Sequence, residues 1–173
     1  VGSMAQLALK NDVTVLECVL SPFVYSGLDS PALTGLRAFV EEHYCWEKLA
    51  QYYYGWAKNH FCLLKLDPQK PGGKKKWREA NKFEHKTLKV YGYVLRGIFK
   101  CQWICSHKTL VGLPVNVHSL YEWTSTQQRS GGCRMPAVVG DSLRKLNTDR
   151  SMPAEAELVD LHAYLDAAFV DLD

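Results

Sequence analysis

The chain has 173 residues, 47% of them hydrophobic, and carries 21 Lys and Arg against 18 Asp and Glu, for a net charge of +3. This length suits one domain with a sizeable core, and the apolar fraction excludes a largely disordered chain. No apolar run approaches the roughly 18–20 residues of a membrane span, and no signal peptide is recognisable. We therefore expect an intracellular protein, either cytoplasmic or nuclear. Residues 1–3 resemble an expression scar, which places the single predicted domain at 4–173.

The first half of the chain is predicted to contain two strands and one long helix. Alternating apolar residues between Asp12 and Tyr25 favour a strand. Pro31, preceded by Asp and Ser, is typical of a helix start, and apolar residues spaced by three and four then continue to Trp56. Residues 61–66 form a short apolar run, which predicts a buried strand.

The second half is predicted to contain a β-hairpin, a further strand and two helices. Residues 87–95 and 99–107 are rich in β-branched and aromatic side chains, and Gly97 between them favours a turn. A strand at 115–123 follows, and then two C-terminal helices, the last within 153–173. Together these elements predict an α+β domain in which a long amphipathic helix packs on a mainly antiparallel sheet.

The small net charge conceals a strong asymmetry along the chain. Residues 65–108 contain twelve Lys and Arg against three acidic residues, a net charge of +9. Residues 153–173 contain six acidic residues and no Lys or Arg, a net charge of −6. A cluster of positive charge attracts polyanions, so the basic region predicts a nucleic acid as partner. An anionic membrane surface would be attracted by the same charges.

The strongest functional signal is a basic loop, residues 67–85, that contains the sequence PGGKKKWR. Lysine and arginine neutralise phosphates and tryptophan can stack on an unpaired base, so RNA or a single strand is the expected ligand. One face of the predicted hairpin would extend this basic surface. We expect Trp77 to stack on a base, and we expect phosphate contacts from Lys70, Lys74, Lys75, Lys76, Arg78, Lys86, Arg96, Lys100 and Lys108.

The tetrapeptide His-Lys-Thr-Leu occurs twice, starting at His85 and at His107. If the hairpin turns at Gly97, His85 faces Thr109 and Thr87 faces His107. Two facing His-x-Thr pairs resemble the active site of the 2H phosphoesterases. The resemblance implies histidines that act as general acid and base and threonines that bind phosphate. The alternative interpretation is a polar end of the hairpin without catalytic function.

Cys45, followed by Trp46, resembles the nucleophile of papain-like proteases, some viral members of which carry Cys-Trp. His118 is then the candidate base. Such a cysteine normally begins a helix, whereas Cys45 is predicted in the middle of one, on its apolar stripe. A buried structural thiol is therefore the preferred interpretation, as it is for all six cysteines.

Cys101, Cys105 and His107 are metal-ligating residue types close together in sequence. On the predicted strand, residues four apart are separated by about 13 Å. Two zinc ligands with bonds of roughly 2.0–2.3 Å cannot span that distance. We accordingly predict no metal site and no cofactor.

The acidic C-terminal helix at 153–173 carries an apolar stripe that would pack on the domain itself or dock in the groove of a protein partner. The stripe consists of Leu158, Leu161, Leu165 and Phe169. Overall, the patterns favour a non-enzymatic regulatory module that binds RNA or single strands through the basic loop and hairpin. A protein-interaction adaptor acting through the C-terminal helix is one alternative, and a small hydrolase using the His/His or Cys/His residues is another.

Overall fold

All regular secondary structure is helical in the computed structural model, which describes residues 2–20, 31–64, 84–128, 135–148 and 154–172. Within these ranges the predicted α+β fold is wrong, because the structure has eight helices and no strand. The helices are α1 (Gly2–Leu9), α2 (Val13–Leu20), α3 (Pro31–His43), α4 (Trp46–Leu64), α5 (Glu84–His107), α6 (Val117–Gln128), α7 (Ala137–Asn147) and α8 (Glu155–Val170).

Helices α4 and α5 form an antiparallel pair at the centre of the structure. Ala57 lies opposite Gly97, and a Cβ atom at position 97 would come within 2.8 Å of the Ala57 Cβ. Further toward the end of α5, the Cys101 thiol donates to the carbonyl oxygen of Ala50 at 3.4 Å. Gly97, predicted to be a hairpin turn, instead lies inside α5 where the helix packs closely against α4.

The predicted hairpin at 87–95 and 99–107 is wrong because both segments lie in α5. This helix contacts α4, α6, α7 and α8, so most of its circumference is buried. Its fully buried side chains are Leu88, Val94, Leu95, Ile98, Phe99 and Ile104. A helix surrounded in this way lacks a single apolar stripe, and its Val- and Tyr-rich sequence fits a strand pattern equally well.

The first predicted strand is also wrong, because Val13–Leu20 form α2. Asp12 caps this helix: its carboxylate oxygen Oδ1 accepts a hydrogen bond from the N–H of Val15 at 3.1 Å. Leu16, Val19 and Leu20 are buried, at the three- and four-residue spacing of a helix face. Residues 21–25 of the predicted strand lie outside the described residues.

The two remaining predicted strands are helical where the structure describes them. Residues 61–64 complete α4, and 65–66 lie outside the described ranges. Most of the strand predicted at 115–123 belongs to α6. Asn116 precedes this helix, and its Oδ1 accepts a hydrogen bond from the N–H of Ser119 at 2.8 Å. The N-cap therefore explains why a helix starts here.

The predicted long helix begins at Pro31, as expected, but it is interrupted between α3 and α4. At the interruption, the N–H of Cys45 donates to Asn11 Oδ1 at 2.7 Å. The hydroxyl of Tyr44 accepts from the N–H of Leu110 at 2.8 Å. Two segments distant in sequence thus satisfy the polar groups at the break. Across the described parts of the chain, no helix is both long and apolar enough to cross a membrane.

Candidate nucleic-acid interface

The described residues that were predicted to bind phosphate do not form one exposed basic surface. Arg96 is half-buried on α5, Lys100 is buried on the same helix, and Lys108 is exposed beyond its C-terminal end. At about 1.5 Å per residue, Arg96 and Lys108 are separated by about 18 Å along the helix axis. The side chain of Lys86 lies outside the described part of the structure. Six further predicted residues lie outside the described ranges altogether: Lys70, Lys74, Lys75, Lys76, Trp77 and Arg78.

Lys100 forms a buried ion pair instead of a basic surface. Only 3% of the residue is exposed, and its ammonium donates to the Glu17 carboxylate. Tyr53 also donates its hydroxyl to Glu17, and the Lys100 Nζ lies 3.4 Å from the Tyr53 oxygen. The predicted hairpin would have exposed Lys100, whereas the helix directs it toward α2. Lys100 is therefore engaged with Glu17 and is not exposed for contact with a phosphate.

The charges around this ion pair alter the pKa values of all three groups. Burial by itself would raise the pKa of Glu17, but the hydrogen bonds from Lys100 and Tyr53 and the charges of Lys100 and Arg96 hold it below its usual value. Burial lowers the pKa of Lys100, an effect that Glu17 opposes. Burial and Glu17 both raise the pKa of Tyr53, so its hydroxyl remains a donor. Arg96 is close enough to act on all three groups.

Half-buried aromatic residues of α4 and α5 lie next to a lysine, an arrangement that was not predicted from the sequence. The ring of Tyr93 lies 5.7 Å from the rings of both Trp56 and His60, measured between centroids. The Lys89 ammonium is 5.8 Å from the centroid of the Tyr93 ring. Arg96 lies one helical turn after Tyr93. We call Trp56, His60, Lys89, Tyr93 and Arg96 the aromatic–basic surface.

The α5 residues of this surface could have been predicted from the sequence if the segment had been interpreted as a helix. Lys89, Tyr93 and Arg96 are spaced at i, i+4 and i+7, which places them on one helix face. Lys89 is exposed, whereas Tyr93 and Arg96 are half-buried. The contribution of α4 has no such local signal, because it depends on the contact between α4 and α5.

The two His-x-Thr pairs are not brought together. His85 lies in the first turn of α5 and His107 is its last residue. Twenty-two residues of helix separate their backbones by about 33 Å. Thr109 instead forms a hydrogen bond of 2.8 Å with the Tyr44 hydroxyl. The side chains of His85 and Thr87 lie outside the described part of the chain, but the separation within one helix overturns the facing arrangement.

Cys45 lies immediately before α4 instead of in the middle of a helix. Its residue is half-buried, and its thiol donates to the carboxylate of Glu47 at 3.1 Å. This hydrogen bond lowers the pKa of Glu47. His118 lies in the first turn of α6. The described hydrogen bond of the thiol therefore joins it to a carboxylate in the first turn of α4.

The cysteines at 101 and 105 occupy adjacent turns of α5, so the strand-based distance between them is wrong. Cys101 is buried and Cys105 is exposed. Burial, together with the neighbouring Cys105, raises the pKa of the Cys101 thiol to about 12. Among the residues that the structure describes, no group of three or more His, Cys, Asp or Glu side chains is arranged to hold a metal ion.

The apolar stripe of α8 packs on the domain itself. Leu161 and Leu165 are fully buried, and Phe169 is 7% exposed. The ring of Phe169 stacks on Phe61 of α4, with centroids 5.4 Å apart. Leu158 is half-buried against the same core. These contacts leave the predicted docking residues engaged within their own chain.

Comparison with known proteins gives a match to one family of sequences. No curated protein and no solved structure matches the chain. The family model covers residues 1–169, which include all eight helices except the last residue of α8. The chain belongs to the RlaP family, described as the RNA repair pathway DNA polymerase beta family.

Proposed function

We propose that this chain is a non-enzymatic RNA-binding module and that its aromatic–basic surface contacts the RNA. The observation that carries the proposal is the Lys89 ammonium beside the half-buried ring of Tyr93, on a face of α5 that also carries Arg96. Cations of this kind neutralise phosphates, and exposed ring faces suit bases. Membership of an RNA repair family gives the protein an RNA-related role, which supports RNA over other polyanions.

The basic loop is expected to add phosphate contacts at one end of this surface. Residues 65–83 connect the end of α4 to the start of α5, and His60 and Lys89 lie toward those two helix ends. We extend the proposal to the loop's cations and to Trp77 for this reason. The proposed additional contacts are Lys70, Lys74, Lys75, Lys76 and Arg78 of the loop, and Lys86 of α5. Lys108 is left out because it follows the opposite end of α5.

The His-x-Thr pairs give no support for catalysis, because His85 and His107 are widely separated. General acid–base chemistry on one phosphate requires both groups within hydrogen-bond reach of it, about 3 Å. His85 and His107 stand at the two ends of α5, about 33 Å apart. The two histidines therefore cannot act together on one phosphate.

Replacing Lys89 and Arg96 together by glutamine is expected to weaken RNA binding and its salt dependence. Each lost phosphate contact on a single strand reduces the slope of log K against log salt by about 0.7 and weakens affinity about fivefold at 0.1 M salt. The double variant should therefore bind about 25-fold more weakly. Fluorescence anisotropy with a labelled single-stranded RNA, repeated across salt concentrations, measures both quantities.

The matched control is Lys10→Gln, which removes an exposed cation that follows α1. This control should retain the affinity and the salt slope of the unmodified chain. Equal losses in the control and the double variant would contradict the proposal, as would binding that does not respond to salt. Thermal unfolding of each variant separates a binding effect from a loss of folded protein.

A further inference from the structure

We infer that Trp56, His60 and Tyr93 form a stacking subsite for one unpaired RNA base. The inference rests on the proposed RNA-binding function and narrows its ligand to single-stranded RNA or an unpaired segment. It assigns the bases to the rings and the phosphates to Lys89 and Arg96. Three observations carry it: the mutual geometry of the rings, the partial exposure of the three residues, and the Lys89 ammonium beside Tyr93.

The three rings are held in fixed relation to one another. Trp56 and His60 lie one turn apart on α4, with ring centroids 4.7 Å apart. His60 Nδ1 is 2.8 Å from the carbonyl oxygen of Trp56, a hydrogen bond that sets the orientation of the imidazole. Tyr93 meets both rings from α5. A stacking platform built on two packed helices is preorganised, so little ordering is required when a base binds.

These three residues are partly exposed, whereas the aromatic residues of the core are not. Phe99 of α5 is 0% exposed and Phe61 of α4 is 4% exposed. Trp56, His60 and Tyr93 are all half-buried, so each retains surface that a ligand can cover.

The cations favour a ligand that carries phosphates, and the rings favour one that also carries flat bases. Lys89 and Arg96 are seven residues apart on α5, about 10 Å along the axis, with Tyr93 between them. Phosphates on either side of a base can therefore reach cations while the base covers a ring. In a duplex the bases are stacked on each other, and aromatic side chains reach bases mainly in single-stranded segments.

The test compares an octameric single-stranded RNA with an abasic octamer that has the same ribose–phosphate backbone, and with a duplex RNA. We expect the unmodified chain to bind the base-containing single strand at least about fivefold more tightly than the abasic strand. Tyr93→Leu should lose this preference while its affinity for the abasic strand and its salt slope stay unchanged. Tyr93→Phe, which retains the ring, should preserve the preference.

Tyr52→Leu is the control for a general loss of aromatic surface, because Tyr52 is 49% exposed on α4 and lies outside the cluster. It should keep the preference for the base-containing strand. Equal affinity of the unmodified chain for both octamers, or tighter binding of the duplex, would overturn the subsite. Absence of binding to every RNA would instead overturn the proposed function. A preference that persists in a folded Tyr93→Leu variant would also contradict the inference.

Discussion

Glu17→Gln is expected to destabilise the protein by about 3 kcal/mol at neutral pH, because the substitution leaves the buried Lys100 ammonium without a counter-ion. Glutamine has nearly the same shape as glutamate and can still accept a hydrogen bond through its amide oxygen. The expected loss therefore reports the charge of Glu17 and not the packing of its side chain. Chemical denaturation followed by circular dichroism measures the free energy of unfolding.

The reciprocal substitution, Lys100→Met, should cost much less. The Glu17 side chain is 34% exposed, so water solvates its carboxylate when Lys100 is removed, whereas the Lys100 side chain is only 4% exposed. Methionine also fills much of the volume of the lysine stem. The double variant Glu17→Gln/Lys100→Met should recover most of the stability that Glu17→Gln loses. Equal costs for the two single variants, or no recovery in the double variant, would contradict this account.

The same ion pair predicts how the deficit of Glu17→Gln depends on pH. Because the pKa of Glu17 is lowered by folding, its contribution is present above the unfolded pKa, near 4.5, and is lost as pH falls through the folded value. The pKa of Lys100 is lowered by burial, and removal of Glu17 lowers it further. As the pH rises, Lys100 therefore loses its proton at a lower pH in the variant than in the unmodified protein. Because the unfolded chain keeps this proton to a higher pH, the free energy of unfolding of the variant increases with pH in that range. The difference in the free energy of unfolding between the unmodified protein and Glu17→Gln should be largest near neutral pH and smaller in acid and in alkali.

Local signals in the sequence predicted some helix boundaries correctly. Pro31 begins α3. Proline suits the first helical position because its fixed φ is helical and because a backbone N–H at this position would have no partner within the helix. The interruption at Cys45 could not be predicted in the same way. Its N–H is satisfied by Asn11, which is 34 residues away in sequence. A break held by such a partner leaves no pattern in its own segment.

The failure at 87–107 has a different cause, which is the central position of α5. Its Val and Tyr residues have a high strand propensity, but tertiary packing on four other helices overrides that preference. The error then spread to the site, since it placed Lys100 on a surface and paired His85 with Thr109. The RNA-related expectation did not depend on it, because the charge of the segment is independent of its secondary structure. Trp56 and His60 were missed because only the packing of α4 on α5 brings them to Tyr93.

Gly97→Ala tests that packing directly, and we expect it to destabilise the protein by about 1–3 kcal/mol. The added Cβ would lie 2.8 Å from the Ala57 Cβ, 3.0 Å from Trp56 Cε3 and 3.2 Å from the Tyr53 carbonyl oxygen. Two of these three atoms belong to the Ala57 side-chain stub and to backbone, which cannot move without a shift of the whole helix. The clash therefore outweighs the gain of about 1 kcal/mol that alanine normally brings to a helix interior.

Gly55→Ala supplies the matched control, since Gly55 also lies inside a helix of the same pair but has nothing within 4 Å of an added Cβ. There the helix propensity of alanine acts alone, and the variant should gain about 0.5–1 kcal/mol. Opposite signs for the two substitutions in urea denaturation would locate the close approach of α4 and α5 at Gly97. An increase in stability in both variants would contradict this close approach, because it would mean that a Cβ atom at position 97 does not clash with Ala57. Because Trp56 is one of the displaced neighbours, a folded Gly97→Ala variant should also lose preference for base-containing RNA, which links the packing of the helices to the proposed stacking subsite.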